Sequence, residues 1–313
     1  MFNYILNRLQ PLLIYDSNTN IYKDSSDKGF CDYYTNHMDG TKLSRQHWVS
    51  NISRHPYITW NIVKSNPNIP WGYDGLSLNP NITWDNVCDT PDKLWEYGLL
   101  SQNPNITWDI ICDNSDKPWN IFAYSLSKNP NITWDIVQDN RDIDWHYEPL
   151  SGNPNITWDI VKANPECVWN YSILSKNPNM TWDIVEENPS YPWDYDNLSK
   201  NLNITWDIVE SNPDKQWNYL HLGYNPNITW DIIEANPDCP WSYTNIIVNP
   251  NITVDIIKNN SHKPWGYYGI NLNPNITWGT VLANPYLTWD YELLSTNSMS
   301  SKPEFEQLNY ILK

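Results

Sequence analysis

A 24-residue recurrence constrains the fold of this chain more than any other feature of its sequence. The string NPNITWDIV at residues 153–161 returns along most of the chain, and its threonine recurs every 24 residues, with a single interval of 26. The ten threonines are Thr59, Thr83, Thr107, Thr133, Thr157, Thr181, Thr205, Thr229, Thr253 and Thr277. Self-similarity at a period of this length indicates a solenoid or a related repeat architecture, in which each unit is stabilised mainly by its neighbours.

Each unit has two halves, and each half carries one tryptophan at a fixed place. The first half is represented by residues 153–161 and the second half by residues 188–199, NPSYPWDYDNLS. Val254 is the one substitute at the first-half position, and Trp48 lies in a degenerate half repeat that precedes the first unit. All other tryptophans of the chain, which has 20 in total and only 4 phenylalanines, occupy these two positions. We therefore predict a core built from tryptophan ladders.

The first half admits two interpretations. Ile156, Trp158 and Ile160 alternate with polar residues, which is typical of a strand, and β-solenoids have repeats of this order. The helical interpretation explains more residues, because Thr157 suits a helix N-cap and Asp159 would then lie near the positive end of the helix dipole. The pattern therefore favours a helix, with a β-solenoid as the alternative.

The ends of the two halves also predict helices. An Asn-Pro pair such as Asn164-Pro165 closes a half, and the residue before a proline is disfavoured in the α conformation. In the second half a proline often precedes the tryptophan, as Pro192 precedes Trp193, which predicts that this pair lies in the first turn of a helix. We therefore predict an all-α solenoid of ten 24-residue units, each made of two helices of about two turns.

The remaining segments are predicted to cap this solenoid. Residues 48–297 would form the tandem-repeat solenoid, residues 1–47 an N-terminal capping segment and residues 298–313 a C-terminal capping helix, because a solenoid without caps exposes an apolar end. No stretch has the roughly 18–20 apolar residues of a membrane-spanning helix, and the N-terminus lacks the apolar run of a signal peptide. The five cysteines form no disulfide framework, so we expect a reducing compartment.

The aspartate that follows the first-half tryptophan is the main candidate for a partner-binding residue. The net charge of −17 arises in the repeats, since residues 55–297 hold 29 acidic and 11 basic side chains. A nucleic-acid partner requires a basic surface, so we predict no nucleic-acid binding and a basic protein partner instead. The alternative is that each aspartate only stabilises its helix. The candidate residues are Asp85, Asp109, Asp135, Asp159, Asp183, Asp207, Asp231 and Asp255.

Other patterns are weaker signals for function. The string Asn-Ile-Thr is a formal glycosylation acceptor, but an asparagine in a turn followed by a helix cap explains it without a glycan. The aromatic ladders could stack on sugars or bases, although core packing is the preferred interpretation for the tryptophans. Variable residues after the second-half tryptophan, such as His146 and Leu220, predict a specific surface. Because metal-ligand spacing, a phosphate-binding loop and a nucleophile elbow are all missing, we predict no catalytic, cofactor or metal site.

The repeat also resembles known repeat proteins. Paired short helices with a 24-residue period and Asn-Pro hinges over residues 55–297 resemble the leucine-rich repeat variant family, an α/3₁₀ right-handed solenoid. The Trp-x-Tyr-x-x-Leu pattern of the second half departs from the Val, Ala and Leu filling of that family. The string NPNITWDIV is similar to repeat proteins encoded by large DNA viruses of protists, such as mimivirus relatives. This similarity implies a viral source but no particular activity.

The sequence as a whole predicts a protein that is not an enzyme. We expect a protein-interaction scaffold or adaptor that binds a partner protein along an acidic repeat surface. The alternative is a structural component of a virus particle or another assembly. In either case the expected location is intracellular, in the host cytoplasm if the source is viral, or within the virion.

Overall fold

The computed structural model describes residues 15–16, 21–22, 50, 53–56, 58–67, 70–119, 123–285, 287, 289–290, 293–294 and 297. The predicted C-terminal capping helix over residues 298–313 lies outside these described residues. Of the predicted N-terminal capping segment, two short strands are described, β1 (Tyr15–Asp16) and β2 (Ile21–Tyr22). The strands pair antiparallel, with Tyr15 opposite Tyr22 and Asp16 opposite Ile21.

The repeats are built from short helices, which confirms the prediction of an all-α solenoid. The β-solenoid alternative is wrong, since every first half forms a helix. The first-half helices are Trp60–Ser65, Trp84–Cys88, Trp108–Asp113, Trp134–Asp139, Trp158–Ala163, Trp182–Glu187, Trp206–Ser211, Trp230–Ala235, Val254–Asn259 and Trp278–Ala283. The second-half helices are Tyr73–Ser77, Tyr97–Leu100, Ala123–Ser127, Tyr147–Leu150, Tyr171–Leu174, Tyr195–Leu198, Tyr219–Leu222, Tyr243–Ile246 and the 3₁₀ helix Tyr267–Leu272.

The first-half helix begins and ends where the sequence predicts. Thr157 is extended, with φ −101° and ψ 165°, and its hydroxyl accepts a hydrogen bond from the Ile160 backbone N–H, as expected of an N-cap. At the other end, the helix stops at Ala163, and the side-chain amide of Asn164 donates to the Ile160 carbonyl at 2.8 Å. The asparagine therefore ends the helix through its side chain, by satisfying a carbonyl that the helix leaves unpaired.

The second-half helix begins later than predicted. The expectation that Pro192 and Trp193 lie in its first turn is wrong, because the helix begins at Tyr195 and has four residues, about one turn. Trp193 lies in the link between the two helices, where its backbone N–H donates to the Tyr191 carbonyl at 2.8 Å. Its indole N–H donates to the Asn188 carbonyl at 2.9 Å. The indole thus connects the link to the end of the preceding helix, and an α-helical turn at this point is replaced by a tight bend.

The core takes the same four positions from each repeat. In the repeat of Thr157 these are Ile156, Val161, Trp169 and Leu174, all of which are buried. Helices this short are marginal on their own in water, so their stability comes from stacking against the neighbouring repeats. The described residues fall into two compact units that divide between Trp95 and Glu96, and the same buried positions recur within each unit.

Candidate functional site

Within the two compact units, a buried asparagine joins a repeat to the one before it. The side-chain amide of Asn177 donates to the carbonyls of Ser151 and Asn153 at 2.9 and 3.1 Å, and its oxygen accepts from the Asn179 backbone N–H at 2.9 Å. We call this residue and its equivalents the ladder asparagines. Those with a described cross-repeat bond are Asn79, Asn129, Asn153, Asn177, Asn201, Asn225, Asn249, Asn273 and Asn297. Sequence reasoning assigned them only to helix ends, so their cross-repeat bonds are a feature that it missed.

The asparagine of the formal glycosylation sequon also has a structural role. The amide of Asn179 donates to the carbonyls of Pro154 and Ile156 in the preceding repeat, at 2.7 and 3.1 Å. The next two residues are the buried Met180 and the exposed N-cap residue Thr181. Each residue of the sequon therefore has a place in the fold, which agrees with its interpretation as a turn followed by a helix cap. A glycan on this nitrogen would remove one of the two donors.

The aromatic ladders pack against one another inside each unit. The rings of Trp158 and Trp193 lie 5.3 Å apart and are tilted by 45°, while Tyr171 meets Trp193 edge-on at 5.9 Å. Such arrangements are the favoured geometries of aromatic pairs. The second-half tryptophans are buried throughout the described repeats, apart from Trp193, which is half-buried. The second-half tryptophans therefore belong to the core, whereas several first-half tryptophans, such as Trp206 and Trp230, are only half-buried.

Five tyrosines of the second-half helices have raised pKa values. Burial, together with the neighbouring thiols of Cys167 and Cys239, raises the pKa of Tyr147 and of Tyr219 to about 12. Burial also raises the pKa of Tyr73, Tyr171 and Tyr195. The Cys239 sulfur lies 3.8 Å from the Tyr219 hydroxyl oxygen, and this contact adds to the effect of burial on the tyrosine pKa. Ionisation of these tyrosines therefore disfavours the folded state.

This set of tyrosines predicts a loss of stability at alkaline pH. A tyrosine in an unfolded chain ionises near pH 10, whereas the folded value for Tyr147 and Tyr219 is about 12. A raised folded pKa gives stability that is complete below pH ~10 and is lost as the pH rises through ~12. We expect the double variant Tyr147→Phe, Tyr219→Phe to lose stability less steeply in this range, as measured by chemical unfolding at each pH. An identical decline in the variant would contradict the assignment.

The aspartates predicted as partner-binding residues are all exposed. The side chain of Asp159 is 92% accessible and lies 3.3 Å from the Lys162 ammonium. The other seven make no ion pair or side-chain hydrogen bond within the described part of the chain. The exposed residues are Asp85, Asp109, Asp135, Asp159, Asp183, Asp207, Asp231 and Asp255. The structure thus leaves their carboxylates exposed to solvent.

Three consecutive first-half helices carry the densest negative charge in the second compact unit, which begins at Glu96. These helices, 182–187, 206–211 and 230–235, contain seven acidic and no basic residues. All seven side chains are exposed, and none forms an ion pair within the described residues. We call this surface the acidic face. Its members are Asp183, Glu186, Glu187, Asp207, Glu210, Asp231 and Glu234.

The variable residues of the second-half helices change from polar to apolar along the second compact unit, which begins at Glu96. Near Asp194 the surface is polar, and the Ser172 hydroxyl donates to the Asp194 carboxylate at 2.5 Å. Further along the chain, exposed apolar and aromatic residues replace these groups; they include Leu220, Tyr224, Tyr268 and Leu272. His146, which sequence reasoning placed among the variable residues, meets Tyr124 edge-on at 5.5 Å. The specific surface predicted from these residues stays a prediction, and the described side chains named here bring no reactive groups together.

The described residues include no recognisable reaction centre. No group of three or more His, Cys, Asp or Glu side chains among them is arranged to hold a metal ion. No helix in the described part of the chain is long and apolar enough to cross a membrane. In comparisons with protein-family models, with curated proteins and with solved structures, no match to this chain was found. The fold itself defines the class, an α-solenoid repeat protein.

Proposed function

We propose that this protein is a non-enzymatic scaffold or adaptor that binds a basic partner protein along its acidic face. The observation that supports this most directly is the run of seven exposed carboxylates on three consecutive helices that contain no basic residue. Complementary charge increases the rate of association and favours one partner over another. A stack of repeats also holds such side chains on a common surface.

Helix stability does not account for these carboxylates. The aspartates near the helix start contribute roughly 0.3–1 kcal/mol each through the helix dipole. Glu186, Glu210 and Glu234, however, lie in the second half of their six-residue helices, where a negative charge faces the negative end of the dipole. These glutamates therefore oppose the dipole of their own helices, and a positively charged partner gives them a favourable role.

The proposal predicts salt-sensitive binding that depends on the acidic face. We expect the triple variant Glu186→Gln, Glu210→Gln, Glu234→Gln to bind its partner about tenfold more weakly, as three exposed charge pairs at ~0.2–1 kcal/mol each imply. The measurement is affinity purification of the tagged full chain at low and high salt, followed by titration of the recovered partner. Because the substitutions remove unfavourable charges from helix ends, the variant should fold normally.

A matched variant controls for overall charge. Glu148→Gln, Glu166→Gln, Asp238→Asn removes the same three charges from exposed positions outside the acidic face and should bind as the unchanged protein does. Equal losses in the two variants, or binding that is insensitive to salt, would overturn the proposal. Recovery of only the protein itself, or of particle components at both salt concentrations, would favour the structural role instead.

A further inference from the structure

The repeat of Thr253 lacks a ring that the other repeats use in packing. In seven described pairs, a first-half indole packs on the second-half indole of the next repeat, with centroids 5.3–6.1 Å apart and planes tilted by 37–47°. The series ends with Trp230 and Trp265. The next first-half position is Val254, whose side chain is too small to fill the place of an indole.

A cavity of about 200 Å³ lies at this substitution. Its apolar wall includes Val254, Ile257, Ile270 and Leu287, and Tyr267 also lines it. In the repeat of Thr157 the equivalent positions hold three aromatic rings in contact. There, Trp158 and Tyr191 meet edge-on at 4.9 Å, and Tyr171 and Tyr191 stack at 5.4 Å. Two of these three positions, occupied by Val254 and Leu287, carry smaller side chains in the repeat of Thr253.

The cavity is open to solution, and Tyr267 on its wall is exposed. This tyrosine is 43% exposed, whereas the tyrosines that begin the preceding second-half helices are half-buried. The edge-on contacts between such a tyrosine and the next second-half tryptophan are described up to Tyr243 and Trp265. The segment Tyr267–Leu272 is also a 3₁₀ helix, while its equivalents are α-helical. A ligand therefore has access to the cavity without unfolding of the repeat.

We propose that this cavity binds an aromatic ring of indole size, in the place that the first-half tryptophan occupies in other repeats. An apolar cavity of about 150 Å³ suffices for a benzene-sized ring, and this one is about 200 Å³. The positions of Val254, Tyr267 and Leu287 can hold packed rings, since their equivalents do so in the repeat of Thr157. Lys258 is exposed and lines the cavity, so an anionic substituent on the ring is favoured. This inference is independent of the acidic face.

The test is calorimetric titration of the full chain with free indole. We expect one site per chain, with a dissociation constant on the order of 1 mM or below. The variant Val254→Trp fills the cavity with the missing indole, so we expect it to fold and to bind no indole. The variant Trp230→Val opens the equivalent space one repeat earlier and should add a second site. Absence of saturable binding to the unchanged chain, or unchanged binding in Val254→Trp, would refute the proposal.

Two further probes define the ligand. Indole-3-acetate should bind about two- to fivefold more tightly than indole, and Lys258→Gln should remove that difference while leaving indole binding unchanged. Binding of N-acetyl-tryptophanamide as tightly as indole would identify a tryptophan side chain of another protein as the source of the ring. Binding of free indoles alone would identify a small molecule. Equal loss of indole and indole-3-acetate binding in Lys258→Gln would contradict the role given to this lysine.

Discussion

Replacing Trp217 with alanine should lower the free energy of unfolding by about 3–5 kcal/mol, as expected when a buried tryptophan is truncated. The indole is 8% exposed and packs against Trp182 at 5.5 Å and Tyr195 at 5.4 Å. Its N–H donates to the Asn212 carbonyl at 2.9 Å. The variant therefore leaves a cavity between two repeats and removes the partner of a carbonyl at a helix end. Chemical unfolding followed by circular dichroism measures the loss.

The first-half tryptophan of the same repeat is the matched control for Trp217. Trp206 is only half-buried, although it packs on Trp241 at 5.7 Å. We expect Trp206→Ala to lose about half as much stability, because less of its surface leaves water on folding. Both variants remove one tryptophan, so their spectra are directly comparable. A larger loss in Trp206→Ala than in Trp217→Ala would show that the buried ladder is not the main source of stability.

Replacing Asn201 with alanine should cost about 2–4 kcal/mol. The side-chain amide donates to the carbonyls of Ser175, Asn177 and Met180 at 2.9, 3.1 and 3.1 Å, and the residue is buried. Each buried acceptor that is left unpaired costs about 1–3 kcal/mol. Asn201→Asp should be worse at neutral pH, since a carboxylate would face these carbonyls without a proton to donate. Chemical unfolding at pH 7 gives both values.

An exposed asparagine is the control for this ladder. Asn259 ends a first-half helix and points to solvent, so Asn259→Ala should change stability by no more than about 0.5 kcal/mol. A loss in Asn201→Ala that is equally small would mean that water replaces the amide, and the ladder would then be dispensable. Recovery of stability in Asn201→Asp when the pH falls below the carboxyl pKa would further support the requirement for a donor.

The solenoid class could be predicted from sequence because each unit repeats its own local signals. Thr157 and Asn164 mark the two ends of one helix, and both roles are found in the structure. The start of the second helix could not be predicted in the same way. Pro192 is compatible with a first helical turn, but Trp193 is held in the link by its bond to the Asn188 carbonyl. Helix propensity gives no information on such a bond, because the bond depends on where the preceding helix ends.

The ladder asparagines carried a signal that local reasoning did not use. In one repeat Leu202 replaces the proline of the Asn-Pro pair, yet Asn201 remains. A residue that only supported the proline would have no reason to persist without it. The hydrogen-bond partners of Asn201 lie 21 to 26 residues earlier in the chain. They can therefore be identified only when the stacking of the repeats is known.

The candidate sites differ in how much of each could be predicted from the sequence. The aspartates were found from their spacing, and their exposure follows from their position on short helices. The glutamates that complete the acidic face, such as Glu186 and Glu210, could not be singled out from the sequence, because their shared face needs three stacked helices to exist. The sequence shows Val254 as a substitution for tryptophan. The cavity beside it could not be predicted, because its size depends on how far the neighbouring side chains repack where the indole is missing.

The cross-repeat bonds of the ladder asparagines all run in one direction. Each of these residues donates to carbonyls of the repeat before it, and its own repeat offers the same carbonyls to the next. A complete unit therefore brings as many donors as acceptors. Duplication or loss of a 24-residue stretch of coding sequence leaves this balance intact, whichever unit is affected. The length of the array can then change during evolution in whole steps, whereas a shift of one or two residues within a helix would misalign every bond at that junction.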